Sequence, residues 1–155
     1  MQTLLDELSL GLPDAVEAIR IILRLLVAML LGAVVGYERE QTRKAAGLRT
    51  HVLVSLGSAL FVLAPLQAGM PTADVSRIVQ GVAAGIGFIG AGAILKLTAE
   101  HEIRGLTTAA SIWMTAAMPA AGLGEFTLAA LATALTWITL AWLERFERKG
   151  PGHNQ

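Results

Sequence analysis

The chain has no cysteine at any of its 155 positions. Disulfides, thiolate nucleophiles and Cys-type zinc sites are therefore excluded. Histidine is scarce, and His51, His101 and His153 are too scattered to form a ligand cluster. Charge is thin as well. Charged residues make up 15% of the chain, against about 25% in ordinary soluble domains. The 12 basic residues cancel the 12 acidic ones, so no basic excess points to nucleic acid. The N-terminus lacks the basic region of a secretory signal, since its first charges are Asp6 and Glu7.

What is present is apolar. Hydrophobic residues account for 54% of the sequence, and the mean hydropathy is +0.61. A 16.3 kDa globule needs a polar surface that this composition cannot supply. A membrane protein needs one only at its ends. The pattern predicts an all-α, polytopic membrane bundle in a single domain, with about five spans at residues 15–37, 50–68, 74–97, 105–121 and 125–143. Asp14 is placed to cap the first span, with Glu17 three residues on. Pro71 opens the third, with Thr72 or Asp74 as its cap. Ahead of the spans, Leu4, Leu5, Leu8 and Leu12 share one helical face, which suits either a segment resting on the membrane or a loose tail.

Basic residues set the orientation. Arg39, Arg43, Lys44, Arg49, Lys96, Arg104, Arg145, Arg148 and Lys149 fall on one side, and Arg20, Arg24 and Arg77 on the other. The positive-inside rule gives N-terminus out and C-terminus in. The turn Gly122-Leu123-Gly124-Glu125 carries no basic residue and suits the outside.

The third span holds Gly81, Gly85, Gly87, Gly90 and Gly92 within twelve residues. In water each interior glycine weakens a helix by about 1 kcal/mol relative to alanine. In lipid the backbone must be helical anyway, and small residues let helices approach closely. This helix is expected at the centre of the bundle. Gly85-Ile86-Gly87-Phe88-Ile89-Gly90 also matches a dinucleotide fingerprint. That reading fails, because the match lies inside one apolar span rather than between a strand and a helix.

The polar residues fall into two groups. On the outer side, Arg24 either snorkels to the headgroups or pairs with Asp74. Asp74 either caps the glycine helix or, with Arg77 nearby, draws cations to an outer mouth, which makes it the one candidate Mg2+ ligand. On the inner side, Glu38, Arg39, Arg49, Thr50, Lys96, Arg104, Thr107 and Thr108 border the loops. Arg49, Lys96 and Arg104 are expected to converge on Glu38, and Thr107 and Thr108 to cap the fourth span. An interfacial belt of charges is the plainer alternative. Ser111 and Thr115 are expected to bond the carbonyls of their own helix. No nucleophile–base pair is apparent, so an enzyme ranks behind the other readings.

Several stretches stand in order along the chain: Gly36-Tyr37-Glu38-Arg39-Glu40, Ala46-Gly47-Leu48-Arg49-Thr50-His51, Asp74-Val75-Ser76-Arg77-Ile78, Gly85 to Gly92, and Arg104-Gly105-Leu106-Thr107-Thr108-Ala109-Ala110. Together they resemble the MgtC/SapB family from about Leu23 to Trp142. Val75 departs from the proline usual there. The resemblance implies a bacterial inner-membrane protein of about five spans, from a virulence-associated family linked to growth in scarce magnesium. It implies regulation of other membrane proteins, with a magnesium or cation transporter formed by an oligomer as the alternative. No cofactor is expected beyond a possible Mg2+ ligand. The expected partners are the lipid bilayer, another membrane protein and a second copy of the chain, a homo-oligomer with the dimer favoured. With 12 residues after Leu143, the chain is expected to be the short form without a soluble C-terminal domain.

Overall fold

The computed structural model describes residues 13–97, 102–121 and 126–147. The N-terminal leucines, the Gly122–Glu125 turn and the basic residues Arg148 and Lys149 lie outside them. Five helices carry the fold: α1 (Ala15–Gln41), α2 (Leu48–Gln67), α3 (Val75–Ala93), α4 (Leu106–Ala121) and α5 (Phe126–Glu147). A single 3-10 turn, Thr72–Asp74, leads into α3, and a two-stranded antiparallel ladder, β1 (Leu95–Leu97) and β2 (Glu102–Arg104), links α3 to α4.

Four of the segments, including the turn with α3, are long and apolar enough to cross a membrane; α4, at 16 residues, is the short one. The distribution of side chains agrees. Phe88 is 84% exposed, Leu53 68% and Phe61 67%, while Glu38, Arg39, His51, Ser55, Ser58, Thr108, Ser111, Thr115 and Thr133 are buried. Apolar bulk outside and polarity inside is untenable in water, where burying an unpaired polar group is costly and exposing so much apolar surface wastes its burial. It suits a protein whose solvent is lipid. The chain is a multi-pass membrane protein.

Local chemistry explains most helix ends. Asp14 caps α1 as expected, its Oδ1 accepting from the Glu17 N–H at 2.7 Å. At the other end the chain turns through Arg43, which adopts a left-handed φ of 55°. The Lys44 N–H bonds back to the Arg39 carbonyl and the Arg43 N–H to that of Glu40, a Schellman closure with arginine where glycine is usual. The end of α2 uses the same closure with Gly69, through Met70 to Pro65 and Gly69 to Leu66.

Two expectations about α3 are corrected. It stops at Ala93 rather than 97, because Leu95, Lys96 and Leu97 pair with Arg104, Ile103 and Glu102 instead of continuing the helix. It is also not the central helix. α4 packs against all four other helices, whereas α3 rests mainly on α4 and more lightly on α2. An added Cβ at Gly81, Gly85, Gly87 or Gly92 would meet nothing within 4 Å; Gly90 alone of the five packs, on Ala109. The small residues that do join helices are elsewhere, as the site shows.

Candidate functional site

The polar interior lies where α1, α2 and α4 meet, toward the end that carries the α1–α2 loop. Its geometry begins with two glycines spaced four apart on α1. A Cβ on Gly32 would fall 2.6 Å from the His51 carbonyl oxygen and 2.7 Å from the Ser55 Cβ. A Cβ on Gly36 would fall 2.8 Å from the Leu48 Cα and 3.0 Å from the His51 Cβ. The absence of side chains at these positions brings α1 against the backbone of α2, the small-xxx-small contact favoured in lipid. At that distance the Ser55 hydroxyl reaches across to donate to the Ala28 carbonyl at 2.6 Å.

The α1–α2 loop is clamped by Glu40. Gly47 is the residue before α2 and offers no side-chain cap. Glu40 supplies one from the neighbouring helix, its Oε2 accepting from the Leu48 N–H at 2.7 Å. That carboxylate occupies the space a Gly47 Cβ would need, 2.5 Å away. A negative group at a helix N-terminus also complements the helix dipole.

Glu38 and Arg39 are 8% and 1% exposed. Arg39 Nη2 donates to Glu38 Oε1 at 2.8 Å, and Nε donates to Oε2, a two-point fork between adjacent residues. Such a buried pair is neutral as a unit, and removing one partner typically costs about 3–5 kcal/mol. Beside it, His51 is fully buried. Its Nδ1 lies 2.9 Å from the Gly47 carbonyl oxygen and its Nε2 3.2 Å from Ser111 Oγ on α4. Ser111 is itself bonded to the Thr108 carbonyl at 2.8 Å, and the Thr115 hydroxyl to the Ser111 carbonyl at 2.8 Å, as expected for hydroxyls in a membrane helix. No buried side-chain nitrogen or oxygen among the described residues lacks a partner.

Of the inner polar residues, Glu38, Arg39 and Thr108 belong to this seam. Arg49 does not: it is exposed, and Glu38 is held by Arg39 instead. Residues adjacent on a helix normally diverge, so the long arginine side chain has to fold back to reach its neighbour. Thr50 is half-buried, Thr107 and Arg104 are exposed, and the Lys96 side chain lies outside the described set. The start of α4 is fixed by Gly105, whose carbonyl accepts from the Ala109 N–H at 2.8 Å. Gly105 has φ 93°, and a Cβ there would strike the Ala93 carbonyl oxygen at 2.0 Å.

The outer group disperses. Arg24 is half-buried in a pocket with Leu63, Pro119 and Phe126, and no ion pair joins it to Asp74. Asp74 is half-buried at the entrance to α3 but makes no side-chain capping bond, because the 3-10 turn carries the chain into the helix instead. Arg77 is exposed. The dinucleotide reading stays rejected: residues 85–90 lie in the middle of α3.

Sequence reasoning missed Gly32 and named Gly36, Glu40 and His51 only within motifs, without the roles seen here. The four-residue spacing of Gly32 and Gly36 was the available signal for the helix contact. His51 and Ser111 are 60 positions apart, and no sequence pattern joins them.

The model of the MgtC family matches residues 25–149, a stretch that contains this whole seam. The chain belongs to the MgtC family. It is 47% identical over 137 residues to Protein SrpB of Synechococcus elongatus, covering 81% of this chain and 75% of that one. Protein MgtC of Salmonella typhimurium is 43% identical over 113 residues, covering 72% of this chain and 47% of its own length. A relative from Escherichia coli, named putative magnesium transporter YhiD, is 42% identical over 127 residues, covering 77% and 58%. The chain thus spans about half the length of the Salmonella and Escherichia MgtC-family relatives. No solved structure matches it.

Proposed function

We propose that this MgtC-family chain is a small, non-enzymatic regulator or adaptor in magnesium homeostasis. In this reading it sits in the bacterial inner membrane, N-terminus out and C-terminus in, and acts on other membrane proteins through helix contacts. One observation carries the reading. α2 and α3 splay to leave an apolar groove of about 640 Å³, lined by Leu53, Gly57, Phe61, Gly81, Gly85 and Ile89. A Cβ at Gly57, Gly81 or Gly85 would meet nothing within 4 Å. In lipid, an open strip of glycines lets a further transmembrane helix come close to the backbone. That helix belongs to another membrane protein or to a second copy of this chain, with a homodimer favoured. The interior carboxylate Glu38 supports the same reading, since Arg39 already neutralises it.

The alternative is an oligomeric magnesium or cation path, favoured by the name of the Escherichia relative. Asp74 is its candidate Mg2+ ligand, because Mg2+ prefers carboxylate oxygen and keeps most of its waters. A photo-crosslinking residue at Phe88, 84% exposed beside the groove, tests the first reading in native membranes at low and high magnesium. A discrete crosslinked species is expected, lost on Gly85→Leu. Magnesium flux into proteoliposomes that Asp74→Asn abolishes would overturn the regulator in favour of the transporter.

A further inference from the structure

The interior of the seam contains one titratable ring whose two nitrogens are both engaged, and neither reading above uses it. We propose that His51 is a proton-binding site, held so that it gains or loses a proton without giving up a hydrogen bond. The Gly47 carbonyl oxygen can only accept, so the 2.9 Å contact keeps a hydrogen on Nδ1 in either state. The other nitrogen faces a group that can serve as donor or acceptor. Ser111 has one hydroxyl hydrogen and two acceptors in reach, His51 Nε2 at 3.2 Å and the Thr108 carbonyl at 2.8 Å.

With the ring neutral, the Ser111 hydroxyl donates to the lone pair of Nε2. With the ring charged, Nε2–H donates to Ser111 Oγ, and the hydroxyl hydrogen swings to the Thr108 carbonyl. One rotor turns and no helix moves. This matters because a buried polar atom left without a partner costs about 1–3 kcal/mol, more if it is charged. A fixed amide or an aliphatic side chain at position 111 could not serve both states.

The charges around the ring are few. On the facing helix α1, Glu38 and Arg39 are paired with each other. Glu40 is committed to the Leu48 N–H, and Tyr37 is exposed. Arg49 on α2 is exposed, as is Arg43 in the preceding loop, where Lys44 is half-buried. α4 has no titratable residue, and on α3 and its entry turn Asp74 and Arg77 stand at the opposite end from the His51 seam. The ring's two nitrogens are committed to Gly47 and Ser111, and the Glu38 carboxylate is held by Arg39.

The neighbouring hydroxyls are committed to backbone. Past Ser111 the hydroxyls of Thr115, Ser55 and Thr133 each donate to a backbone carbonyl, those of Ser111, Ala28 and Ala129.

The test uses the full chain in lipid nanodiscs with His101→Gln and His153→Gln, which leaves His51 as the sole histidine. Imidazole 15N NMR is followed from about pH 9 to about pH 4. The expected result is the Nδ1–H tautomer alone at the alkaline end, then a single one-proton step that places hydrogen on both nitrogens. Ser111→Ala should lower the midpoint by about half a pH unit or more, because the hydrogen bond lost from the charged ring is stronger than the one lost from the neutral ring. A ring that never titrates overturns the proposal, as does a neutral Nε2–H tautomer or a midpoint indifferent to Ser111→Ala. The titration of the unsubstituted seam stands by itself should Ser111→Ala fail to fold.

Discussion

Adding one methyl group to α1 should do more harm than adding one to the glycine-rich helix. At Gly32 the new Cβ would lie 2.6 Å from the His51 carbonyl oxygen and 2.7 Å from the Ser55 Cβ, where comfortable separations are about 3.5–4.0 Å. Both obstacles are close to backbone, so α1 and α2 must separate by about 1 Å. Overpacking of this kind costs about 1–3 kcal/mol. Separation also stretches the 2.6 Å bond from Ser55 to the Ala28 carbonyl, worth about 0.5–1.5 kcal/mol. Against these stands up to about 1 kcal/mol from the better helix propensity of alanine. The net loss for Gly32→Ala is about 0.5–4.5 kcal/mol, centred near 2. Gly85→Ala meets no atom within 4 Å, so its fold should be as stable as the parent's or slightly more so. Reversible unfolding in mixed micelles, followed by helical circular dichroism, measures both. A Gly32→Ala variant as stable as the parent would refute the α1–α2 packing; a Gly85→Ala variant as damaged as Gly32→Ala would return the glycine helix to the centre.

Other consequences are as direct. Arg43→Gly should stabilise by about 0.5–1 kcal/mol, since φ 55° suits glycine; the same unfolding assay checks it. Glu40→Ala should cost about 1 kcal/mol by uncapping α2, and Glu40→Asp should fail to restore it because the shorter side chain stops short of the Leu48 N–H. Glu38→Gln and Arg39→Leu should each cost about 3–5 kcal/mol, while the double variant loses much less than their sum. Additive losses in that cycle would show that the pair is not the unit described.

Much of the fold was legible because lipid imposes a simple grammar. Long apolar runs, the cap at Asp14, and the self-bonding of Ser111 and Thr115 all follow from local chemistry. The centre was not legible. Gly32 and Gly85 are the same residue in apolar helices, and only the partner backbone distinguishes a glycine that is needed from one that is open. The charge cluster failed for a related reason. Counting charges at the loops treats Arg39, Arg49 and Arg104 as equivalent, yet one folds onto its neighbour in the interior while the others stand exposed. α3 ended early because backbone pairing with residues 102–104 competes with helix, a contest decided across the chain.

The shortness of α4 has a further consequence for the bilayer. Sixteen residues rise about 24 Å, roughly 6 Å less than a typical hydrocarbon layer. The remaining depth at one end falls to Gly105 and the ladder, whose facing backbone groups pair with one another while its outer edges need the polar interface. α4 packs on every other helix, and its exposed Leu106 and Trp113 meet the acyl chains. Acyl chains around this protein should be drawn inward, at a fraction of a kcal/mol per ångström of mismatch. Membrane thickness is then a variable to which the protein's stability and lateral sorting respond.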